Sequence, residues 1–148
     1  MKAPNDKIVV RISLPGKPAS ANELRRKYRN PFAYKKLRES LQRNIYYRIQ
    51  AQDRSWLEAM CAAGKRMRVV VEFRHSRYYD RDNSHAACKP IFDALKNLHF
   101  LADDDEPHMD AIVLQEKCLR QNAETVISIA EAGDALEKVE AEHEQEIQ

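Results

Sequence analysis

Glycine is rare in this chain, 3 residues in 148, which argues against collagen-like repeats, glycine linkers and glycine-loop architectures. Cysteine is equally sparse. Cys61, Cys88 and Cys118 are odd in number, far apart and free of any Cys-x-x-Cys pair. Neither a disulfide framework nor a thiolate zinc site is expected, three small buried hydrophobes are, and a reducing cytoplasm is the setting that fits. No apolar run approaches the roughly 18–20 residues that a membrane helix needs, which removes a spanning role. Met1 to Lys7 is polar and lacks the apolar stretch of a secretory signal. Internal repeats are missing too. Against these absences, hydrophobic residues make up 43% and charged residues 32%, enough for a core under a heavily charged surface. At 17.2 kDa the chain suits one domain, taken as residues 1–133, with an acidic C-terminal tail at 134–148.

The formal net charge of +2 conceals a sorting of sign along the chain. Residues 1–77 carry 19 Lys/Arg against 6 Asp/Glu, a net of +13. Residues 78–130 carry 5 against 10, a net of −5, and residues 131–148 carry one Lys against 7 acids, a net of −6. A basic half invites a polyanionic partner, because neutralising phosphates releases counterions. Within residues 17–48, ten Lys/Arg meet only Glu23 and Glu39, so mutual salt bridges cannot absorb them. Tyr28, Phe32, Tyr34, Tyr46 and Tyr47 are interleaved with these cations, an arrangement that suits nucleic acid, although several of the rings are also needed for a core.

Periodicity places the elements. Ile8 to Leu14 reads as a strand stopped by Pro15-Gly16, and residues 16–31 read as a basic loop. Tyr34, Leu37, Leu41, Ile45 and Ile49 recur at spacings of three and four and predict a helix, with Arg38, Arg43 and Arg48 off its apolar stripe. Trp56, Leu57 and Met60 either extend that helix or begin a second one that Gly64 closes. Met67 to Phe73 predicts a second strand. Ile91, Ala94, Leu95 and Leu98 mark a further helix, with Asn83 or Ser84 as N-cap if it starts early and Pro90 as its kink or its first turn. After an acidic loop over residues 102–110, Ala111–Leu119 and Thr125–Ala130 read as a hairpin. The expected fold is a single α/β (α+β) layer, one mixed sheet carrying helices.

Two acidic groups stand out, Asp80-Arg-Asp82-Asn83 and Asp103-Asp104-Asp105-Glu106. In extended backbone, residues two apart point the same way, so Asp80 and Asp82 can converge. The second group lies in a loop able to fold back on them. Several carboxylate oxygens around one hard cation is how Mg²⁺ or Mn²⁺ is held. Alone, Asp-x-Asp-Asn is an ordinary turn and the acidic run a solvated loop. An EF-hand is excluded because the required glycine is His85. The histidines give no consistent zinc ligand set: His85 and Cys88 have ligand-like spacing, and His108 adjoins the acidic loop. A cationic surface that holds a phosphate backbone, joined to a carboxylate-bound metal that cleaves it, is the chemistry of a nuclease.

The stretch Asp80-Arg-Asp-Asn…Lys89-Pro-Ile-Phe-Asp-Ala-Leu…Asp103-Asp-Asp resembles the RusA-type Holliday junction resolvases common among phage and prophage proteins. Leu14-Pro15…Pro18…Ser20…Asn22 is similar to that family's strand-exit motif, so the resemblance spans residues 8 to about 130. It implies a Mg²⁺-dependent endodeoxyribonuclease (Mn²⁺ being an alternative) that binds branched DNA as a homodimer. Paired symmetric nicks would resolve a four-way junction and leave 5′-phosphate ends, with no small-molecule cofactor. It also implies metal-binding roles for Asp80 and Asp82, a catalytic role for Lys89, and a third metal-binding aspartate at Asp104 or Asp105. Arg25, Arg26, Lys27, Lys35 and Lys36 would grip DNA backbones without reading sequence. One spacing departs from the family: Lys89 falls seven residues after Asp82, where the shorter family form has four. On a continuous helix both spacings lie within roughly 40° of the starting face, with the ammonium about 4.5 Å further along the axis. A small loop at residues 84–88 is the alternative. The competing functions are a nuclease on flaps or other branched DNA, a junction-binding protein without catalysis, and an RNA-binding adaptor.

Overall fold

Strand alternation begins the fold. In β1 (Val9–Pro15) Val10, Ile12 and Leu14 are buried and their neighbours exposed, the period of two that a one-sided strand requires. β2 (Met67–His75) repeats the pattern over nine residues, burying Met67, Val69, Val71, Phe73 and His75. β3 (Met109–Lys117) and β4 (Glu124–Glu131) complete one mixed four-stranded sheet in the order β1-β4-β2-β3. The computed structural model describes residues 8–16, 19–77 and 79–133, the side chain of Arg81 excepted. The acidic tail at 134–148 lies outside the described residues, as do Met1–Lys7, Lys17, Pro18 and Tyr78.

β1 and β2 each pair antiparallel with β4, while β2 and β3 pair in parallel. The expected hairpin of β3 and β4 does not form. β2 lies between them, and residues 118–123, with a turn of 3₁₀ helix at Arg120–Asn122, carry the chain across it. The reason is burial: β2 hides every second residue along its whole length, whereas β3 is exposed at Leu114, Glu116 and Lys117 and suits an edge.

Among the described residues, five helices join these strands. Residues 16–31 are not all loop: Ser20 and Glu23 form a reciprocal capping box that starts α1 (Ala21–Arg26). α2 (Pro31–Arg48) begins where the Asn30 side chain accepts the Phe32 N–H and Pro31 supplies a preset first turn. Ile49 adopts extended backbone and separates α3 (Ala51–Ala62), which Gly64 ends at φ +67°. α4 (Arg81–Ala87) and α5 (Lys89–Asn97) meet at Cys88, where Pro90 sits in the first turn of α5 and its missing N–H leaves no bond unmade. Past α5, His99 takes the left-handed conformation (φ 61°) that glycine usually fills, and the Phe100 N–H closes on the Leu95 carbonyl at 3.0 Å.

The core packs Ile12, Val69, Val71, Phe73 and Ile127 of the sheet against Ile45, Leu57, Ile91 and Leu95 of the helices. On the other sheet face Arg74 pairs with Glu72, Glu116 and Glu124, at 3.2, 3.4 and 2.6 Å. Among the described residues no helix is long and apolar enough to cross a membrane.

Of the three thiols only Cys88 is fully buried; Cys61 and Cys118 are half-buried. Burial pushes the Cys88 thiol up to about 12, and its Sγ donates to the Ser84 carbonyl at 3.4 Å. A thiol titration of the native protein at pH 8 should therefore leave Cys88 unlabelled until denaturant is added. Labelling of all three thiols in native buffer would contradict the packing at the α4–α5 junction.

Candidate functional site

The segment leaving β2 is held by one side chain. Gln115, on β3, accepts the Tyr79 N–H at 2.8 Å and donates to the Tyr79 carbonyl at 2.9 Å, extending the sheet's bonding past its last ladder residue. The same Gln115 oxygen lies 3.0 Å from His75 Nε2, and the His75 and Tyr79 rings are 4.8 Å apart. This clamp sets the position of Asp80. Asp80 is the N-cap of α4, in place of the expected Asn83 or Ser84: Oδ1 accepts the Asn83 N–H at 2.9 Å and Oδ2 the Asn83 side-chain amide at 3.0 Å. Asp82 stands exposed in the first turn of α4. The two aspartates are therefore not on one extended strand, because capping by Asp80 commits the residues after it to helix.

The second acidic group lies beyond α5. The Asp104 N–H donates to Asp103 Oδ1 at 2.7 Å, and Asp104 Oδ2 is 3.3 Å from Lys96 Nζ. Asp105 pairs with His108 Nδ1, and Glu106 with Arg66 at 2.9 Å. Among the described residues, the group of three or more metal-ligating side chains brought within 4.8 Å of one another is Asp103, Asp105 and His108. Asp80 and Asp82 are not in it, and neither is Asp104.

Topology explains that separation. β2 and β3 run parallel in the register Met67↔Met109 to His75↔Lys117. Asp80 hangs from the far end, one residue past the Tyr79 that Gln115 holds. Asp105, whose carbonyl accepts the Met109 N–H at 2.8 Å, belongs to the near end. From Met109 to Gln115 is six residues of strand, about 20 Å. A parallel crossover must return to the start of the next strand, so the residues leaving β2 and those entering β3 lie apart. Among the described residues, the acidic loop and Asp80 and Asp82 are not brought within ligand distance of one another.

Between the two ends runs a chain of charges that spacing conceals. Lys89, Asp93 and Lys96 share one face of α5 at intervals of four and three. Lys89 Nζ is 3.8 Å from Asp93 Oδ2, and Lys96 Nζ is 3.4 Å from Asp93 Oδ1 while also reaching Asp104. Burial opposes the Lys96 charge, but Asp104 and Asp93 outweigh it and hold the ammonium above its ordinary pKa. The Tyr34 hydroxyl of α2 donates to Asp93, and burial followed by that carboxylate pushes the phenol pKa up. Lys89 begins α5 rather than continuing α4, so the continuous-helix spacing does not apply to it.

Arg25 and Arg26 occupy the last turn of α1, Lys27 caps it, and Lys35 and Lys36 lie in the first half of α2; all five are exposed. Lys27 Nζ sits 5.9 Å from the centre of the Tyr28 ring. α1 packs on α4, and this brings Arg25 and Lys89 to the rim of one cavity together with Tyr28 and Tyr34. Sequence reasoning missed Gln115 and Asp93. Gln115 was signalled by being the polar residue on the core-facing register Ala111, Val113, Gln115. Asp93 was signalled by its spacing from two lysines.

Of the expected metal-binding aspartates, only Asp105 lies in a group, with Asp103 and His108, whose spacing could hold a divalent cation. Asp80, Asp82, Asp104 and Asp105 offer exposed carboxylate oxygens suited to Mg²⁺, and His108 adds a nitrogen that Mn²⁺ tolerates better. Compared with family models and with curated proteins, the chain gives no match.

Replacing Gln115 by Leu should strand the Tyr79 N–H and carbonyl, lower stability by about 1–3 kcal/mol and speed amide exchange across residues 79–83. Unchanged exchange there would show that Gln115 does not set the position of Asp80.

Proposed function

We propose that this protein is a divalent-metal-dependent endodeoxyribonuclease that acts on branched DNA and resolves four-way junctions, working as a homodimer in the cytoplasm. The observation that supports it best is the junction of α1 with α4–α5. It sets Arg25 of the strongly basic segment beside the helices that carry Asp80, Asp82 and Lys89. Surface for gripping a phosphate backbone thus adjoins carboxylates able to hold a metal.

The attachment of the two acidic groups to opposite ends of the β2–β3 pair, about 20 Å apart along the strand, bears on the assembly. A site using both would be completed by a second chain, with Asp80 and Asp82 from one copy meeting Asp104 or Asp105 of the other. Two-fold symmetry then makes two equivalent sites, the arrangement that paired nicks in a two-fold junction require. A bound metal would supply a nucleophilic water at neutral pH and neutralise charge on the non-bridging oxygens. The chain's own groups do the rest. Asn83 fixes both oxygens of Asp80, Asp93 tethers Lys89, and the Lys89 ammonium stabilises negative charge on the phosphate as it builds. Lys96 holds Asp104, and a cation entering there takes over an interaction that the ammonium makes.

Labelled four-way, flap and linear duplexes incubated with Mg²⁺ or EDTA test this reading. Symmetric nicks confined to the four-way substrate and abolished by EDTA are expected. Asp82→Asn should slow cleavage roughly a hundredfold or more while leaving binding intact or tighter, since it removes a ligand and a negative charge. Binding should fall steeply with salt, and the double variant Arg25→Ala/Arg26→Ala should flatten the log–log slope by roughly two. Normal cutting by Asp82→Asn would overturn the assigned site, and cutting of flaps in preference to junctions would favour the flap nuclease.

A further inference from the structure

The cavity between α1, α2 and the α4–α5 junction has a volume of about 340 Å³. Its walls are of three kinds. Leu24 and Ala86 are apolar and Tyr28 and Tyr34 aromatic, while Arg25 and Lys89 bring positive charge. Both rings are half-buried, so each keeps accessible surface; Arg25 is exposed, and so is most of Lys89.

The charged and aromatic groups are held in place. Asp93 accepts the Tyr34 hydroxyl and lies 3.8 Å from the Lys89 ammonium, tying the ring to the cation. Asn22 Oδ1 accepts from Arg25 Nη1 at 3.4 Å, and the capping box fixes the short helix that bears both. Asp93 spends its charge on Lys96 as well, so the cavity keeps a positive rim. A planar ring that stacks on tyrosine, carrying an anion that reaches two cations, complements this space; an apolar ligand would use neither Arg25 nor Lys89.

We propose that this cavity binds one nucleotide unit, an unstacked base between the tyrosines with its phosphate between Arg25 and Lys89. The inference rests on the DNA-binding reading for its source, which would be a nucleotide splayed out at the branch point; a free mononucleotide has the same chemistry. A branch point is where unstacking is cheapest, so a pocket for a single base adds preference for branched over linear DNA without any base-edge contact.

Metal-free binding tests this without any cleavage. In EDTA, dAMP should shift the ring resonances of Tyr28 and Tyr34 and bind more tightly than inorganic phosphate or deoxyadenosine alone. Tyr28→Ala should weaken dAMP roughly tenfold or more and Tyr28→Phe should restore it, because the ring rather than the hydroxyl stacks. Ala86→Leu, which fills the cavity with a good helix former, should block dAMP while circular dichroism stays native. Binding of dAMP no tighter than phosphate, or unchanged by Ala86→Leu, would overturn the proposal. A four-way junction carrying 2-aminopurine at the branch point separates the sources: brightening that Ala86→Leu abolishes assigns the site to the bound strand. Binding of dAMP without brightening assigns the same site to a free nucleotide. A protein that binds dAMP in this way yet cuts no junction supports the cavity and contradicts only the nuclease reading.

Discussion

The parallel pairing of β2 with β3 is the constraint on which the arrangement of this molecule depends. Nine register pairs from Met67↔Met109 to His75↔Lys117 fix the two strands side by side and pointing the same way. Everything between them must then travel from one end of the sheet back to the other, and α4 and α5 are that journey. The crossover leaves Asp80 and Asp82 at its start and Asp103–Glu106 at its end. It also lays the Lys89–Asp93–Lys96 face along the middle. The acidic residues are thus distributed by topology before any side-chain contact is considered.

Local interactions refine that layout without changing it. Gln115 reaches across to fasten Tyr79 by both backbone groups, and Asn83 satisfies both oxygens of Asp80. Asp93 and Lys96 link Lys89 to Asp104 through contacts of 3.3–3.8 Å between partly exposed groups. Pairs of this kind are worth little each in stability, because solvent screens them. Their consequence is positional. They hold three charges along one helix face in a fixed order, and Tyr34 ties that face to the basic helix α2.

Much of this was legible in the residues, and the parts that were not have physical causes. The strands announced themselves where one face is buried, as in β2, because alternation comes directly from the pleat. The α2 stripe of Tyr34, Leu37, Leu41, Ile45 and Ile49 likewise comes from helical pitch. α1 was hidden because six residues show no periodicity; its signal was the spacing Ser20-x-x-Glu23. Strand order was hidden because alternation says which face is buried but not which strand lies alongside, so β3 and β4, adjacent in sequence, read as a hairpin. The convergence of Asp80 and Asp82 with the later aspartates was read from spacing in extended backbone, a loop able to fold back and a family resemblance, none of which says at which end of a crossover each group lies. Gln115 and Asp93 show the residues' better use: a polar side chain in a core register and an acid spaced between two lysines each mark a contact that the fold then makes.

The central claim is that a complete metal site takes Asp80 and Asp82 from one chain and the Asp104–Asp105 group from another. Mixed dimers test it most directly. Asp82→Asn and Asp104→Asn/Asp105→Asn chains, differently tagged, are co-expressed, purified through both tags and given a labelled four-way junction with Mg²⁺. A shared site predicts that each variant alone is inactive, whereas the mixed dimer, which keeps one intact site, nicks one strand of each junction. A mixed dimer as inactive as its parents would contradict the account and return both acidic groups of a site to a single chain.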